Sequence, residues 1–223
     1  MSIILVTGAN RGIGLALVKQ YVARNDDVIG VCRESSDALS ATGAQVEAGV
    51  DVTDGAALAA LSQRLGDTRI DVLICNAGIL TKEALGDIDE DGFERMRKQF
   101  EVNSLGPLRT VQALSAHLAK GAKVGIVTSR MGSVSDNDSG GYYGYRASKA
   151  AVNAIGKSLA LDLKDRGIAV MLLHPGYVQT EMVGGGGDIS PDMAAAQLAE
   201  RLDELTLAQT GSFRHAKGDA LPW

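Results

Sequence analysis

Residues 2–18 read Ser2-Ile3-Ile4-Leu5-Val6-Thr7-Gly8-Ala9-Asn10-Arg11-Gly12-Ile13-Gly14-Leu15-Ala16-Leu17-Val18. Ser2–Thr7 is nearly all apolar, the pattern of a strand with both faces covered. From Arg11 to Arg24 the residues Ile13, Leu17, Val18 and Tyr21 fall at helical spacing. Gly8, Gly12 and Gly14 stand between the two. Glycine lets the backbone turn tightly and come close to a ligand, and the start of a helix offers free N–H groups and the positive end of its dipole. A pyrophosphate suits such a joint. A glycine triplet alone is weak evidence, and its strand-turn-helix setting is what strengthens it.

The rest of the chain repeats the alternation. Strands are expected at Asp27–Cys32, Gln45–Val50, Ile70–Cys75, Lys123–Thr128 and Ile168–Leu173, with an edge strand near Phe213. Helices are expected at Thr53–Leu65, at Asp89–Lys120 with a break near Asn103 to Pro107, at Tyr145–Arg166 and at Pro191–Leu207. Such an order predicts an α/β fold: one doubly wound, Rossmann-type parallel sheet with helices on both faces, spanning residues 1–223. Ligands in this architecture bind beyond the carboxyl ends of the strands. Gly184–Gly187 reads as a flexible stretch inside a short loop at about residues 177–191.

Composition narrows the function. The net charge is −5 and the basic residues are scattered, so neither nucleic acid nor an anionic membrane is an expected partner. No apolar run approaches the ~20 residues needed to span a bilayer. No secretory leader is read at the N-terminus, and the cytoplasm is the expected compartment. Cys32 and Cys75 lie in expected strands and read as reduced core thiols. His117, His174 and His215 lack metal-ligand spacing, so no metal is expected.

The end of the second strand bears on which dinucleotide is held. An acid there would bind a ribose 2′-hydroxyl, whereas arginine suits a 2′-phosphate. Here the strand ends Val31-Cys32-Arg33, and Arg11 in the glycine turn is a second cation. NADP(H) is therefore preferred, with NAD(H) kept open by Glu34. Further on, Tyr145 and Lys149 share a helix face four residues apart. A nearby ammonium favours the phenolate and lowers a tyrosine pKa, so the pair suits proton transfer at a carbonyl or alcohol oxygen. Tyr142 and Tyr143 have no such lysine. With glycines at 140, 141 and 144 they read as loop aromatics ahead of the helix, able to line a substrate pocket. Ser129 closes the fifth strand, where its hydroxyl can donate to an oxyanion. Ser133 is the alternative.

These motifs together resemble the short-chain dehydrogenase/reductase family. The stretch Thr7 to Leu15, the Val31-Cys32-Arg33 segment and Gly140-Gly141-Tyr142-Tyr143-Gly144-Tyr145-Arg146-Ala147-Ser148-Lys149 are most similar to its carbonyl-reductase-like branch, the sniffer and C-factor type. The resemblance covers essentially the whole chain. It implies that Gly8, Asn10, Arg11, Gly12, Ile13, Gly14 and Arg33 hold the coenzyme, with Asp51 and Val52 at the adenine. Asn76, Ala77 and Gly78 would line it, although Cys75 replaces the family's first asparagine. It makes Ser129 the catalytic serine beside Tyr145 and Lys149, which also touch the coenzyme. Asn103 becomes the helix-kinking residue that supports a relay water. Pro175 and Gly176 would bracket the nicotinamide, with Val178 and Thr180 at its carboxamide, while His174 reads as a packed strand-end residue. The resemblance also implies a homodimer or homotetramer paired through the helices after the fourth and fifth strands. The Ala147, Ala150, Ala151, Ala154 face fits that pairing or burial against the chain's own sheet.

The expected activity is NADPH-dependent reduction of small carbonyl compounds, or oxidation of the matching alcohols. A nucleotide-binding signalling or sensor protein of the C-factor type is the alternative on the same fold. A methyltransferase reading predicts S-adenosylmethionine and leaves the Tyr–Lys pair unexplained. The short 177–191 loop predicts an open pocket with limited selectivity.

Overall fold

The computed structural model describes residues 1–223. In chain order the elements are β1 (Ile3–Thr7), α1 (Gly12–Ala23), β2 (Asp27–Val31), α2 (Asp37–Ser40), β3 (Gln45–Glu47), α3 (Gly55–Leu65) and β4 (Ile70–Cys75). Then come α4 (Glu90–Phe100), a π-helical turn (Glu101–Leu105), α5 (Gly106–Leu114), β5 (Leu118–Val127), α6 (Tyr143–Asp162), β6 (Ala169–His174), α7 (Pro191–Glu204) and β7 (Ser212–His215). All seven strands pair in parallel, in the order β3-β2-β1-β4-β5-β6-β7. The chain winds outward from β1 to β3, then returns to lay β4 on the other side of β1. The carboxyl ends of β1 and β4 therefore diverge into a crevice at the centre of the sheet.

Side chains alternate across the strands and build two cores. Leu5, Leu73, Val124, Ile126 and Val170 face α3, α5 and α6, where Leu58, Leu61, Val111 and Val152 meet them. Ile4, Val6, Ile74, Met171 and Leu173 face the other way, onto Leu17, Val18 and Tyr21 of α1 and Leu198 and Leu202 of α7. Helices on both faces explain why the central strands are apolar throughout.

Several expected boundaries move, among them the third strand, which ends at Glu47, and the helix expected to reach Arg166, which ends at Asp162. The long helix stops at Leu114 and a 3-10 turn at Ser115–His117 follows, so β5 begins at Leu118 and not Lys123. The His117 ring holds that turn off the helix axis, with Nε2 2.8 Å from the Ser62 hydroxyl and Nδ1 3.1 Å from the Thr68 carbonyl. Helix α6 begins at Tyr143 and takes in Gly144, because the carboxylate of buried Glu83 accepts from the Gly144 N–H at 3.1 Å and fixes the first turn. Residues 177–189, expected to be flexible around Gly184–Gly187, fold back on themselves. The N–H groups of Asp188 and Gln179 bond the carbonyls of Tyr177 and Ile189, and Gly184, Gly185 and Gly187 supply positive-φ turns.

Candidate active site

The glycine turn is shaped by contacts that side chains would prevent. A Cβ on Gly14 would lie 2.1 Å from the Gly8 carbonyl oxygen, and one on Gly8 would meet the Ala77 backbone at 2.9 Å. Gly8 and Gly12 both have positive φ. The opposite wall is tied to this turn. The Asn76 side-chain amide donates to the carbonyls of Thr7 (3.0 Å) and Gly8 (3.3 Å), while the Thr7 hydroxyl accepts from the N–H groups of Asn76 (3.0 Å) and Ala77 (3.2 Å). Gly8–Gly14 and Asn76–Gly78 thus form a rigid cleft at the switch point, with the N-terminus of α1 open to it. A dinucleotide pyrophosphate fits this cradle of glycine backbone and helix N–H groups.

Towards β2, the Asn10 side-chain amide donates to the Glu34 carbonyl at 3.0 Å and its main-chain carbonyl accepts from Ser36 Oγ at 2.7 Å. This locks the segment carrying Arg33 to the glycine turn. The exposed Arg33 guanidinium lies 4.0 Å from Asp51. Burial pushes the Asp51 carboxyl up, but hydrogen bonds from Thr53 and the Arg33 charge outweigh it and leave it below the usual value. Val52 is buried beneath Gly106. Arg11 does not join Arg33 on a common partner. It pairs with Glu181 at 2.5 Å, so it faces the 177–189 loop. Thr180 packs beside Gly12, and Val178 is buried and bridged to Ile189. Pro175 and the positive-φ Gly176 turn the chain out of β6 towards this loop.

Tyr145, Lys149 and Ser129 converge and all are buried. Burial pushes the Tyr145 phenol up to about 12, and the neighbouring Ser129 hydroxyl works against that rise. Lys149 Nζ is 5.7 Å from the Tyr145 ring centroid and donates to the Val127 carbonyl at 3.1 Å. Burial lowers its pKa to about 8. The expected lowering of the tyrosine by the ammonium does not appear: burial raises the phenol, and the opposing influence comes from Ser129. Ser133, the alternative serine, points elsewhere: its hydroxyl donates to the Trp223 carbonyl at 3.1 Å.

Asn103 lies in the π-helical turn. Its Oδ1 accepts from Ile79 N at 2.8 Å, and its Nδ2 donates to Ile79 O (2.9 Å) and Ser148 Oγ (3.0 Å). It thereby pins the loop after β4 to the residue next to Lys149. The His174 ring is edge-on to His215 at 5.0 Å, and burial lowers its pKa to about 3, so it is a neutral packed residue. Both cysteines are free and buried, and burial pushes the Cys75 thiol up to about 12. Sequence reasoning passed over Ser36, Glu83 and Gln99. Glu83 accepts from the Thr81 hydroxyl (2.6 Å) and the Gln99 amide (2.9 Å), and so joins α4 to the start of α6. Only Ser36 had a visible signal, a serine ahead of a short helix that it caps.

Fold and cleft together define the class: an α/β protein with a dinucleotide crevice at its topological switch point. The model of the short chain dehydrogenase family matches residues 2–187, and the chain belongs to that family. A 1-hydroxy-2-glutathionyl-2-methyl-3-butene dehydrogenase of Rhodococcus sp. strain AD45 is 43% identical over 229 residues, spanning 100% of both chains. The C-signal protein of Myxococcus xanthus is 41% identical over 157 residues, 69% of this chain and 93% of its own. Among solved structures, carbonyl reductase Sniffer of D. melanogaster aligns over 100% of both chains with a TM-score of 0.91 and 28% identity. An NADPH-bound carbonyl reductase from chicken fatty liver gives 0.90 and 27%, over 100% of this chain and 99% of its own. No helix is long and apolar enough to cross a membrane.

Proposed function

We propose that this oxidoreductase reduces small carbonyl compounds with NADPH, or oxidises the matching alcohols, with residues 1–223 acting as one catalytic unit. One observation carries the reading: a buried phenol with the Ser129 hydroxyl as its neighbour and a lysine ammonium beside its ring. The bound coenzyme supplies the hydride. Gly8, Asn10, Gly12, Ile13, Gly14, Asn76, Ala77 and Gly78 would hold it, with Asp51 and Val52 at the adenine and Pro175, Gly176, Val178 and Thr180 around the nicotinamide. Arg33 and Arg11 would bind the 2′-phosphate. Their present pairs are exposed and worth about 0–1 kcal/mol each, so a phosphate can displace Asp51 and Glu181.

With its pKa near 12 the Tyr145 phenol is protonated at neutral pH, which suits the donor in the reducing direction. Ser129 would hold the carbonyl oxygen by donating a hydrogen bond, and Tyr145 would deliver the proton as negative charge builds there. Lys149 would stabilise the phenolate left behind, and Asn103 would keep the relay water beside Lys149. Tyr145→Phe should cut turnover by roughly 10²–10⁴-fold, with a far smaller change in coenzyme affinity. NADPH oxidation against a panel of aldehydes, ketones and quinones tests this, and undiminished turnover in the variant sinks it. The Rhodococcus relative adds a hydroxy compound with a glutathionyl group to the substrates to be tried, in the oxidising direction.

Likeness to C-signal is all that stands behind a second reading, a nucleotide-binding signalling protein. A signalling role has no need of a buried Ser129–Tyr145 contact, which is why catalysis is preferred. The cytoplasm remains the proposed compartment. A homodimer or homotetramer is also proposed. Ala147 and Ala154 are exposed and Ala150 and Ala151 half-buried, so this face of α6 looks outward and not onto the sheet. It continues into a groove of about 250 Å³ lined by Leu108, Ala154, Ile155 and Leu159. Sedimentation of the wild type and of Ala154→Arg should show an oligomer that the arginine disperses.

A further inference from the structure

The turn that carries Ser129 is held from two sides. Residues 130–132 form a 3-10 turn, and Ser129 Oγ accepts from Met131 N at 3.1 Å, so the hydroxyl follows the turn. On one side Gly132 is pressed against α6, where a Cβ would lie 2.7 Å from the Lys149 backbone. On the other side three donors meet one oxygen. Ser133 Oγ (3.1 Å), Ser135 Oγ (2.9 Å) and Ser135 N (3.2 Å) all donate to the main-chain oxygen of Trp223.

Trp223 is itself fixed to the sheet. Its ring packs on Phe213 of β7 with centroids 5.5 Å apart. Leu221 N donates to Phe213 O at 2.9 Å, Ala220 bridges Arg214, and His215 N donates to Asp219 O at 2.8 Å. Strand β7 pairs in turn with β6, matching Leu173 with Arg214 and His174 with His215. The next residues after His174 are Pro175 and Gly176.

We infer that residues 219–223 are a strap that sets the position of the Ser129 turn against the end of β6, with Ser133, Ser135 and Trp223 as positioning residues. This rests on the catalytic reading above. The strap spans the two parts whose separation matters most in that reaction, the group that holds the carbonyl oxygen and the strand end that leads to the nicotinamide bracket. Without it the serine turn keeps its contact with α6, the Arg130–Asp136 pair and the main-chain bond from Thr128 N to Leu173 O at 2.8 Å, and loses its tie to β7.

The test uses Ser133→Ala/Ser135→Ala, read by kinetics and by fluorescence. The protein has one tryptophan, Trp223, so its emission reports the strap directly. Release should raise acrylamide quenching of Trp223 while leaving NADPH affinity unchanged. With 4-nitrobenzaldehyde or another carbonyl that the wild type turns over, kcat/KM should fall roughly ten- to a hundredfold, since small misplacements of a catalytic group cost that much. Ser133→Thr/Ser135→Thr, which keeps the hydroxyls, should restore the wild-type values. Raised quenching with unchanged kcat/KM overturns the inference, as does quenching that does not rise. A wild type that reduces no carbonyl sinks the catalytic reading instead, and the two failures are told apart by that control.

Discussion

At the residue scale, burial governs the chemistry of the candidate site. Lys149 shows the consequence most directly, because its ordinary pKa of 10.5 drops to about 8. A lysine lowered in the folded state is a destabilising charge. The penalty is full below pH 8, fades between pH 8 and 10.5 as the folded form releases its proton first, and is gone above that range. Stability should therefore rise with pH across that window, as followed by urea unfolding at fixed ionic strength. Lys149→Met should remove a penalty of up to about 3 kcal/mol and raise the Tm by several degrees, yet abolish turnover. Calorimetry beside a turnover assay checks both. Reductive turnover of the wild type should decline above pH 8 as the ammonium is lost. The Tyr145–Lys149 spacing was readable from the chain because i, i+4 residues share a helix face. Which force sets their pKa values was not, since desolvation depends on groups far apart in sequence.

Elements meet closely where glycine stands. Helices α4 and α6 touch at Gly144, where a Cβ would come within 3.0 Å of Met96 Cα and 2.5 Å of Gln99 Nε2. Gly144→Ala should destabilise the protein by roughly 1–3 kcal/mol through overpacking. Because Glu83 accepts from the same residue's N–H, the first turn of α6 should shift as well. Equilibrium unfolding would show the effect, and a variant as stable as the wild type would refute the packing argument. Most elements were legible from apolar period and turn chemistry. The misplaced boundaries at Leu118 and Tyr143 have one cause. His117 and Glu83 bind partners on other elements, and such tertiary hydrogen bonds override local helical preference.

For the whole molecule, the cleft between the loops after β1 and β4 should couple coenzyme binding to global stability. NADPH at about a hundred times its Kd should add roughly 3 kcal/mol, about 5–10 °C in Tm for a chain of this size. NADH should add less, and Arg33→Ala should bring the two shifts together. Equal shifts in the wild type would remove the 2′-phosphate assignment. The branch of the family was also legible, because Gly8–Gly14, Arg33 and Tyr145–Lys149 occur in order along a chain of one domain's length.

The order of strands and helices, the glycine joint and the Tyr–Lys face were determined by the sequence alone, since each depends on neighbours within a turn or two. Only the tertiary structure put Ser129 beside Tyr145 and Ser133 against Trp223, turned Arg11 towards Glu181 and seated Trp223 on the serine turn. Those outcomes join segments up to 170 residues apart, where sheet register and not local pattern determines which groups meet.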